Sequence, residues 1–340
     1  MKYKTCVLFG GNGFIGSHLA ADFLENDVVE EITIADIVTA TPDKWPKNLQ
    51  LAFAAGKINY VKVDVRYTIT NDKLPKEVDL IVNLAAVHKE PGHEAHEYFE
   101  TNIPGAENVC AWAEQVNCKQ VIFTSSIATY DGKPGAKSEA SLTMPLTPYG
   151  VSKLTAEKIH IAWQKAGSDR KLMIVRPGVI FGPGEKGNVT RMIKAVMSHY
   201  FFFSGNQHVR KAGGYVKELC HSILFMMNWQ SEHNSAITLF NFTMKPAPTI
   251  LDYANGIQKV TGVKRAIPNV PFKILLTGAY FVNIINRILG RKQSISPVTI
   301  RKTLKYNDII PKILDDLNYQ YKYNLEEGLA DWYKERPSEW

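Results

Sequence analysis

Short apolar runs alternate with amphipathic stretches through the first half of the chain. The runs have the length of buried strands, and the stretches between several of them repeat their apolar positions with the period of a helix. The predicted strands are Thr5–Phe9, Glu31–Ala35, Asn59–Val63, Asp79–Asn83, Gln120–Thr124 and Leu172–Val175, and the predicted helices are Phe14–Asn26, Pro104–Val116 and Tyr149–Lys165. This alternation predicts an α/β fold with a doubly wound parallel sheet and helices on both faces.

The pattern changes after Gly178, where glycine, proline and aromatic residues become more frequent. A chain of 340 residues also exceeds the usual size of one domain. We therefore predict a first domain over residues 1–180 and a smaller region over 181–340 that is partly interleaved with it. Residues 215–255 are expected to return to the first domain.

The composition is that of an ordinary globular protein, with 45% hydrophobic and 21% charged residues. Four cysteines show neither metal-site nor disulfide spacing, and the first residues run directly into a strand, which leaves no room for a signal peptide. A cytoplasmic location is therefore expected. The cysteines are Cys6, Cys110, Cys118 and Cys220.

Positive charge is concentrated in residues 264–312, which hold ten Lys or Arg and one acid, Asp308. A phosphorylated substrate, an anionic membrane surface or nucleic acid would each attract such a patch, and a solvated basic face is the simpler alternative. No recognised nucleic-acid-binding motif accompanies the patch, so no nucleic-acid partner is expected.

A glycine-rich loop joins the first predicted strand to the first predicted helix. Gly10, Gly13 and Gly16 allow a tight turn, close approach of the backbone to a diphosphate and close helix packing. Asp36 closes the second strand about 20 residues on, where a carboxylate accepts hydrogen bonds from ribose hydroxyls and repels a 2′-phosphate. This Rossmann arrangement predicts NAD as the cofactor rather than NADP.

Two further strand ends fit the same ligand. Asp64 and Val65 end the third strand, where a carboxylate could reach the adenine amino group. Small residues after the fourth strand would let the cofactor lie against the backbone. The remaining cofactor contacts predicted from the glycine loop and this strand end are Phe14, Ile15, Leu84, Ala85 and Ala86.

Three polar residues predict proton and hydride transfer at a substrate hydroxyl. Ser126 follows the fifth strand, and Tyr149 and Lys153 lie one turn apart on a predicted helix. An ammonium at Lys153 favours the phenolate of Tyr149 and makes the phenol a usable acid or base. Lys153 can also hold the nicotinamide ribose, and Ser126 can orient the substrate oxygen.

These residues resemble the extended short-chain dehydrogenase/reductase family, the NAD-dependent epimerases and dehydratases. The resemblance extends over essentially the whole chain and includes Gly10–Gly16, Asp36, Asp64, Asn83–Ala86, Asn102, Thr124–Ser126, Tyr149, Lys153 and Arg176–Pro183. It implies that Ser126, Tyr149 and Lys153 form the catalytic triad and that NAD stays bound through the cycle. It also implies cofactor contacts at Asn102 and Pro177, and a homodimer formed through the helices that follow the fourth and fifth strands.

The two residues after Ser126 limit the reaction within this family. Sugar-nucleotide dehydratases have Asp-Glu there, decarboxylases have Glu at the first position, and epimerase-reductases have Cys at the second. This chain has Ile127 and Ala128. The remaining chemistry is reversible oxidation of a carbinol, which ends either in epimerisation or in release of a ketone by a dehydrogenase.

Substrate contacts are expected mainly in the second half of the chain. Family epimerases place an Asn on the substrate diphosphate at the position of Asn188, and Arg191 and Arg210 could add positive charge. The family's usual phosphate-binding Arg aligns with Lys211, which supplies a point charge instead of a bidentate fork. His88, after the fourth strand, could also touch the substrate.

An apolar segment over residues 270–292 lies inside the basic region. Only 13 uncharged residues separate Lys273 from Arg287, fewer than the roughly 20 that a membrane-spanning helix needs. A helix lying on a membrane surface and a core or dimer helix both fit this pattern. Together with Ala85–Glu90 and Gly187–Val189, the segment resembles the bacterial 4-epimerases of polyprenyl-diphosphate-linked N-acetylglucosamine.

The resulting hypothesis is NAD-dependent C4 epimerisation of an N-acetylhexosamine, linked to UDP or to polyprenyl diphosphate, through a 4-keto intermediate in surface polysaccharide synthesis. Such an enzyme would be cytoplasmic and, if residues 270–292 bind lipid, peripheral at the inner face of the membrane. The alternatives are a 3β-hydroxysteroid-type dehydrogenase and a non-catalytic NAD-binding protein. His93 and His96 lack both the spacing of the zinc-protease motif and a third ligand, so no metal is expected.

Overall fold

The computed structural model describes residues 2–90, 92–130, 135–277, 280 and 307–340. Its centre is a sheet of seven parallel strands, β1 (Tyr3–Phe9), β2 (Val29–Asp36), β3 (Ile58–Lys62), β4 (Leu80–Asn83), β5 (Gln120–Thr124), β6 (Lys171–Pro177) and β10 (Ile237–Phe242). Their order across the sheet is β10-β6-β5-β4-β1-β2-β3. All six strands expected from the apolar runs are present, and the doubly wound Rossmann fold is confirmed.

Two short parallel pairs lie outside this sheet. One joins β7 (Val179–Phe181) to β9 (Gly213–Tyr215), and the other joins β8 (Phe203–Ser204) to β11 (Asn269–Val270). The helices are α1 (Phe14–Glu25), α2 (Lys47–Ala54), α3 (Ala95–Gln115), α4 (Pro148–Lys165), α5 (Asn188–Met197), α6 (Val216–Glu232), α7 (Ile250–Thr261), α8 (Lys312–Asp316) and α9 (Leu325–Glu335).

The helix predicted to begin at Pro104 begins earlier, at Ala95, so this predicted start is wrong. Glu94 and Glu97 form a reciprocal capping box that fixes the true first turn. Pro104 lies inside the helix, where a proline is usually unfavourable because it removes one backbone donor. The proline was therefore a misleading signal for a helix start.

Alternate residues of β1 enter two separate cores. Cys6 and Leu8 pack on the side of α1 and α6, whereas Val7 and Phe9 pack on the side of α3 and α4. Because both faces of the parallel sheet are covered, its strands are apolar at nearly every position. This explains why the strands stand out in the sequence as continuous apolar runs.

The strand order reverses between β1 and β4, which lie next to each other at the centre of the sheet. In open sheets of this type, ligands bind in the crevice at the carboxyl ends of the strands, where the order reverses. The glycine loop follows β1 and residues 84–90 follow β4. The fold therefore brings both predicted cofactor segments to this crevice.

The predicted apolar segment over residues 270–292 falls largely outside the described residues. Its described part is helical at residues 272–277, and the side chains of Ile274 and Tyr280 are 62% and 49% exposed. Among the residues that the structure describes, no helix combines the length and the apolar character needed to cross a bilayer. The choice between membrane contact and internal packing of this segment stays a prediction.

Asp22, on the buried side of α1, gives the fold a pH dependence. One of its carboxylate oxygens has no hydrogen-bond partner among the described residues. Burial, with a further contribution from Glu25, raises the pKa of Asp22 from 3.8 to about 7. Protonation is therefore favoured more strongly in the folded than in the unfolded state, and stability present at low pH is lost as pH rises towards 7.

We expect the Asp22→Asn variant to gain about 2 kcal/mol of unfolding free energy over the wild type near pH 8, and much less near pH 4. Urea denaturation at the two pH values measures this difference. The exposed Asp72→Asn variant removes a carboxylate without this burial and serves as the control. An equal gain at both pH values would contradict the assignment.

Candidate active site

The glycine loop is packed too closely to accept side chains. Gly10 has a φ of +76°, and a Cβ there would lie 2.7 Å from the backbone nitrogen of Ala85. A Cβ on Gly16 would lie 2.7 Å from the carbonyl oxygen of Gly10. The loop therefore lies directly on the chain after β4, and the first turn of α1 lies directly on the loop.

The start of α1 is suited to an anion. Gly13 is the N-cap residue and supplies no side-chain cap, and Phe14 and Ile15 begin the first turn. The first N–H groups of an α-helix have no partner within the helix and stand at the positive end of its dipole. A diphosphate placed there would receive these hydrogen bonds.

Asp36 lies beside this loop, as expected from its position at the end of β2. Its carboxylate accepts hydrogen bonds from the backbone N–H groups of Asn12, at 3.1 Å, and Val38, at 3.0 Å. Burial nevertheless raises the pKa of Asp36 above its usual value. The Asp36 carboxylate keeps free acceptor sites for two ribose hydroxyls. The glycine loop and Asp36 therefore fit NAD.

Asn12 is a positioning residue that was not predicted from the sequence. Its side-chain amide donates to the carbonyl oxygens of Val38 and Thr39, and its Oδ1 accepts from Trp45 Nε1 at 2.8 Å. Asn12 therefore holds the segment after β2 against the glycine loop. Its place between the glycines was a usable signal, because polar side chains in tight loops commonly bind the local backbone.

Asp64 and Val65 already have protein partners. The carboxylate of Asp64 accepts hydrogen bonds from the guanidinium of Arg66, including 2.7 Å to Nη2, which lowers the pKa of Asp64. The carbonyl oxygen of Val65 accepts from Asn108 Nδ2 at 2.9 Å. Contact of these two residues with the adenine stays a prediction.

Asn102 supports the chain after β4. Its Oδ1 accepts from the N–H of Val87 at 2.8 Å, while its Nδ2 donates to the carbonyl of Val87 at 3.1 Å and to Ser152 Oγ at 2.8 Å. These contacts join residues 84–87, which include Leu84, Ala85 and Ala86, to α4. Direct contact of Asn102 with the cofactor stays a prediction, and the structure shows it as a positioning residue.

Ser126 and Tyr149 face each other across the start of α4. Burial raises the pKa of Tyr149 to about 12, while a side-chain hydrogen bond with Ser126 acts in the opposite direction. The ammonium of Lys153 was expected to bring the pKa of Tyr149 towards neutrality. In the protein without a cofactor this expectation is wrong, because burial has the largest effect on that pKa. Near neutral pH the phenol is protonated and is a proton donor.

Lys153 is almost completely buried, one turn after Tyr149. Its Nζ lies 4.4 Å from the ring centroid of Phe123, and burial lowers the pKa of the amine to about 7, with the nearby Glu157 opposing this shift. On its other face, Phe123 stacks on the ring of His160 at a centroid distance of 4.1 Å. Lys153 is therefore held between an aromatic ring and a carboxylate.

A buried ion pair lies beneath the catalytic residues and was not recognised in the sequence. Glu157 accepts from Arg176 Nε at 2.8 Å and from Nη2 at 2.6 Å, and Ser125 Oγ donates to the same carboxylate. Arg176 Nη1 also donates to the hydroxyl of Tyr130 at 2.8 Å. The pair joins α4 to β6 and to the residue before Ser126. Its sequence signal is the spacing of four between Lys153 and Glu157, which places both on one helix face.

The predicted substrate residues are only partly brought together. Asn188 begins α5 and is exposed, and its Oδ1 accepts from Arg191 Nη2 at 2.5 Å. Lys211 lies two residues before β9, and its backbone N–H donates to the carbonyl oxygen of Pro248. Pro177, which was predicted to contact the cofactor, ends β6 beside Phe242. A common diphosphate site for Asn188, Arg191 and Lys211 stays a prediction.

His88 lies in the loop after β4 and is near the catalytic residues. Enclosure by the protein lowers its pKa, and the charge of Lys153 contributes to this shift. His93 was considered as a metal ligand, but its Nδ1 lies 3.2 Å from Glu97 Oε1. Within the described ranges, no cluster of three or more His, Cys, Asp and Glu residues is arranged to hold a metal ion.

Arg336 and Glu339, which follow α9, each bind a loop at the crevice. We call this pair of residues the C-terminal clamp. Arg336 Nη2 donates to the carbonyl oxygen of Trp45 at 2.7 Å, and the carboxylate of Glu339 accepts from the N–H of Gly184 at 2.8 Å. Since Trp45 binds Asn12, the C-terminal clamp joins the loop after β7 to the segment beside the glycine loop.

The close packing of Gly10 can be tested with a matched pair of variants. We expect Gly10→Ala to weaken NAD binding at least tenfold, because the new methyl group displaces the chain after β4. Gly56→Ala has the same backbone constraint, with a φ of +72°, and nothing within 4 Å of its Cβ. Titration calorimetry with NAD should therefore show a normal affinity for Gly56→Ala; equal affinities for both variants would contradict this role of Gly10.

The chain is similar in sequence to known proteins. The chain is 26% identical over 329 residues to N-acetyl-alpha-D-glucosaminyl-diphospho-ditrans,octacis-undecaprenol 4-epimerase from Escherichia coli O157:H7, covering 95% of this chain and 92% of that protein. It is 24% identical to a decarboxylating sterol-4-alpha-carboxylate 3-dehydrogenase from Candida albicans, with 98% of each chain covered.

A solved structure shows the same fold. It is UDP-N-acetylglucosamine 4-epimerase from Methanobrevibacter ruminantium M1 in complex with UDP-N-acetylmuramic acid, which is 21% identical and superimposes with a TM-score of 0.75 over 100% of both chains. Residues 6–238 match the profile of the NAD dependent epimerase/dehydratase family, and the chain therefore belongs to that family.

Proposed function

We propose that this protein is an NAD-dependent C4 epimerase of an N-acetylhexosamine carried on UDP or on polyprenyl diphosphate. The observation that carries the proposal is the pairing of Ser126 with Tyr149 at a site where Ile127 and Ala128 follow the serine. These two apolar side chains supply no acid or base for loss of water or carbon dioxide. Reversible oxidation of a hydroxyl is the chemistry that this set of residues supports.

The residues act as follows on such a substrate. In its phenolate form, Tyr149 takes the proton of the C4 hydroxyl as a hydride leaves C4, which gives a 4-keto sugar, and Ser126 holds the substrate oxygen. Tyr149 returns the proton when a hydride is delivered to the opposite face of the ring. The chemistry that NAD supplies when bound is acceptance and return of that hydride. Because burial keeps the phenol protonated in the protein alone, the phenolate has to form once cofactor and substrate are bound, where an ammonium at Lys153 would favour it.

The proposed carriers rest on the relatives together with the predicted charge pattern. The Escherichia coli relative is named for a diphospho-undecaprenol substrate, and the Methanobrevibacter structure for a UDP-sugar. Asn188, Arg191 and Lys211 are the proposed diphosphate contacts, and His88 is proposed to contact the sugar. In this proposal, residues 1–180 form the NAD-binding domain and residues 181–340 form the substrate-binding region, of which residues 215–255 return to the first domain.

Location and assembly form part of the same proposal. We place the protein in the cytoplasm, since its four cysteines are free and buried, with residues 270–292 at the inner face of the membrane. The proposed assembly is a homodimer formed through α3 and α4. The product would enter surface polysaccharide synthesis.

A 3-hydroxysteroid-type dehydrogenase is the second candidate, favoured by the Candida albicans relative. The two functions differ in the fate of the hydride, because an epimerase returns it and a dehydrogenase releases NADH. Purified protein with NAD should therefore interconvert the gluco and galacto forms of UDP-linked or polyprenyl-diphospho-linked N-acetylhexosamine without accumulating free NADH. Failure with both carriers would contradict the proposal, and NADH accumulation with a hydroxysteroid would favour the second candidate.

A further inference from the structure

The loop over residues 84–90 brings a carboxylate close to the catalytic residues. The loop is fixed on α3 by two contacts, the paired hydrogen bonds of Asn102 with Val87 and a 2.7 Å hydrogen bond from the hydroxyl of Tyr98 to the carbonyl of Lys89. The next residue, Glu90, is exposed. The backbone that carries Glu90 is therefore held against α3.

A third contact fixes the carboxylate itself. Thr147 Oγ1 donates to Glu90 Oε2 at 3.1 Å, and Thr147 is the N-cap residue of α4, two positions before Tyr149. The ring of Tyr98 packs beside Tyr149, with its centroid 6.0 Å from that of Tyr149. Glu90 is therefore held at the start of the helix that carries the catalytic phenol.

The charge of Glu90 acts on two neighbouring tyrosines. It contributes to raising the pKa values of both Tyr149 and Tyr98. The ion pairs found among the described residues do not include Glu90, so its negative charge is not neutralised by them. The other titratable group whose charge acts on the pKa of Tyr149 is Tyr98, from α3.

We propose that Glu90 determines substrate specificity by accepting a hydrogen bond from a neutral sugar and by repelling a sugar that carries a carboxylate. A fixed carboxylate accepts strongly from hydroxyl or amide N–H groups, whereas a second carboxylate close to it would be repelled. Hexuronates and other acidic sugars are therefore excluded from the site. This inference rests on the proposed function, because it concerns the sugar that reaches Tyr149.

The test compares two sugars that differ only in the acidic group at C6. Inhibition constants of UDP-glucose and UDP-glucuronic acid are measured during turnover of the N-acetylhexosamine, or with the same sugars on polyprenyl diphosphate if only that carrier supports turnover. For the wild type we expect the uronate to bind at least tenfold more weakly than the neutral sugar. In Glu90→Gln this ratio should fall to about threefold or less.

The pH profile of kcat gives a second readout that a purely structural role would not change. Loss of the Glu90 charge lowers the pKa of Tyr149, so the acidic limb of the profile should move to lower pH in Glu90→Gln. The exposed Glu100→Gln variant removes a carboxylate from α3 and is the matched control, for which the ratio and the limb should equal those of the wild type.

Two results would overturn the inference. One is an unchanged sugar ratio together with an unmoved acidic limb in Glu90→Gln, and the other is an equal change in Glu100→Gln. Both can be observed while the wild type epimerises its substrate normally, so they leave the proposed function intact. Absence of turnover in the wild type with either carrier would instead contradict the proposed function.

Discussion

Tyr149→Phe is expected to lower kcat by about 10³-fold while NAD remains bound. The substitution removes only the hydroxyl that takes and returns the substrate proton. The aromatic ring keeps its place against Tyr98, and the glycine loop and Asp36 are untouched. Steady-state rates combined with the NAD content of the purified protein measure both parts of this prediction.

The control for this variant is Tyr67→Phe, which removes the hydroxyl of a tyrosine that is 67% exposed. Its kcat should equal that of the wild type. A Tyr149→Phe enzyme that retained more than a tenth of the wild-type rate would show that another group moves the proton. Loss of NAD from Tyr149→Phe would show that the phenol also has a structural role.

Glu157→Gln is expected to reduce the free energy of unfolding by about 3 kcal/mol. The substitution leaves Arg176 without its charged partner at a position where both side chains are almost fully buried, at 2% and 5% exposure. It also weakens the support of Ser125, so the activity of the folded variant should fall. Urea denaturation near pH 7 measures the loss of stability.

Glu114→Gln provides the comparison for Glu157→Gln, because Glu114 pairs with Arg170 at a position where its side chain is 52% exposed. Exposed ion pairs contribute little, so this variant should stay within about 0.5 kcal/mol of the wild type. Replacing Glu157 and Arg176 together by methionine should restore part of the stability that Glu157→Gln loses. Equal losses for Glu114→Gln and Glu157→Gln would contradict the role assigned to burial.

Local patterns were sufficient to predict the sheet and the cofactor crevice. Strands buried on both faces leave apolar runs, and the spacing of Gly10, Gly13 and Gly16 directly after the first run marks a dinucleotide-binding loop. Tyr149 and Lys153 could be paired because a helix brings residues four apart onto one face. Each of these inferences uses residues that are close in sequence.

Contacts between distant segments could not be predicted in the same way. The helix that carries Glu157 was predicted, but the pairing of Glu157 with Arg176 was not, because it depends on how α4 packs beside β6. The pKa of Tyr149 was misjudged because burial is a property of the assembled site. The role of Glu90 depends on the contact of its loop with Thr147, 57 positions later in the chain.

The C-terminal clamp has a consequence for the order in which the protein is completed during synthesis. Arg336 meets Trp45 across 291 positions, although Trp45 contacts the glycine loop that is made first. Chains fold in part as they emerge, N-terminal segments first, and contacts between distant positions form slowly. A nascent chain can therefore build the central strands early, but it acquires the finished crevice only after its last helices have been made and have docked.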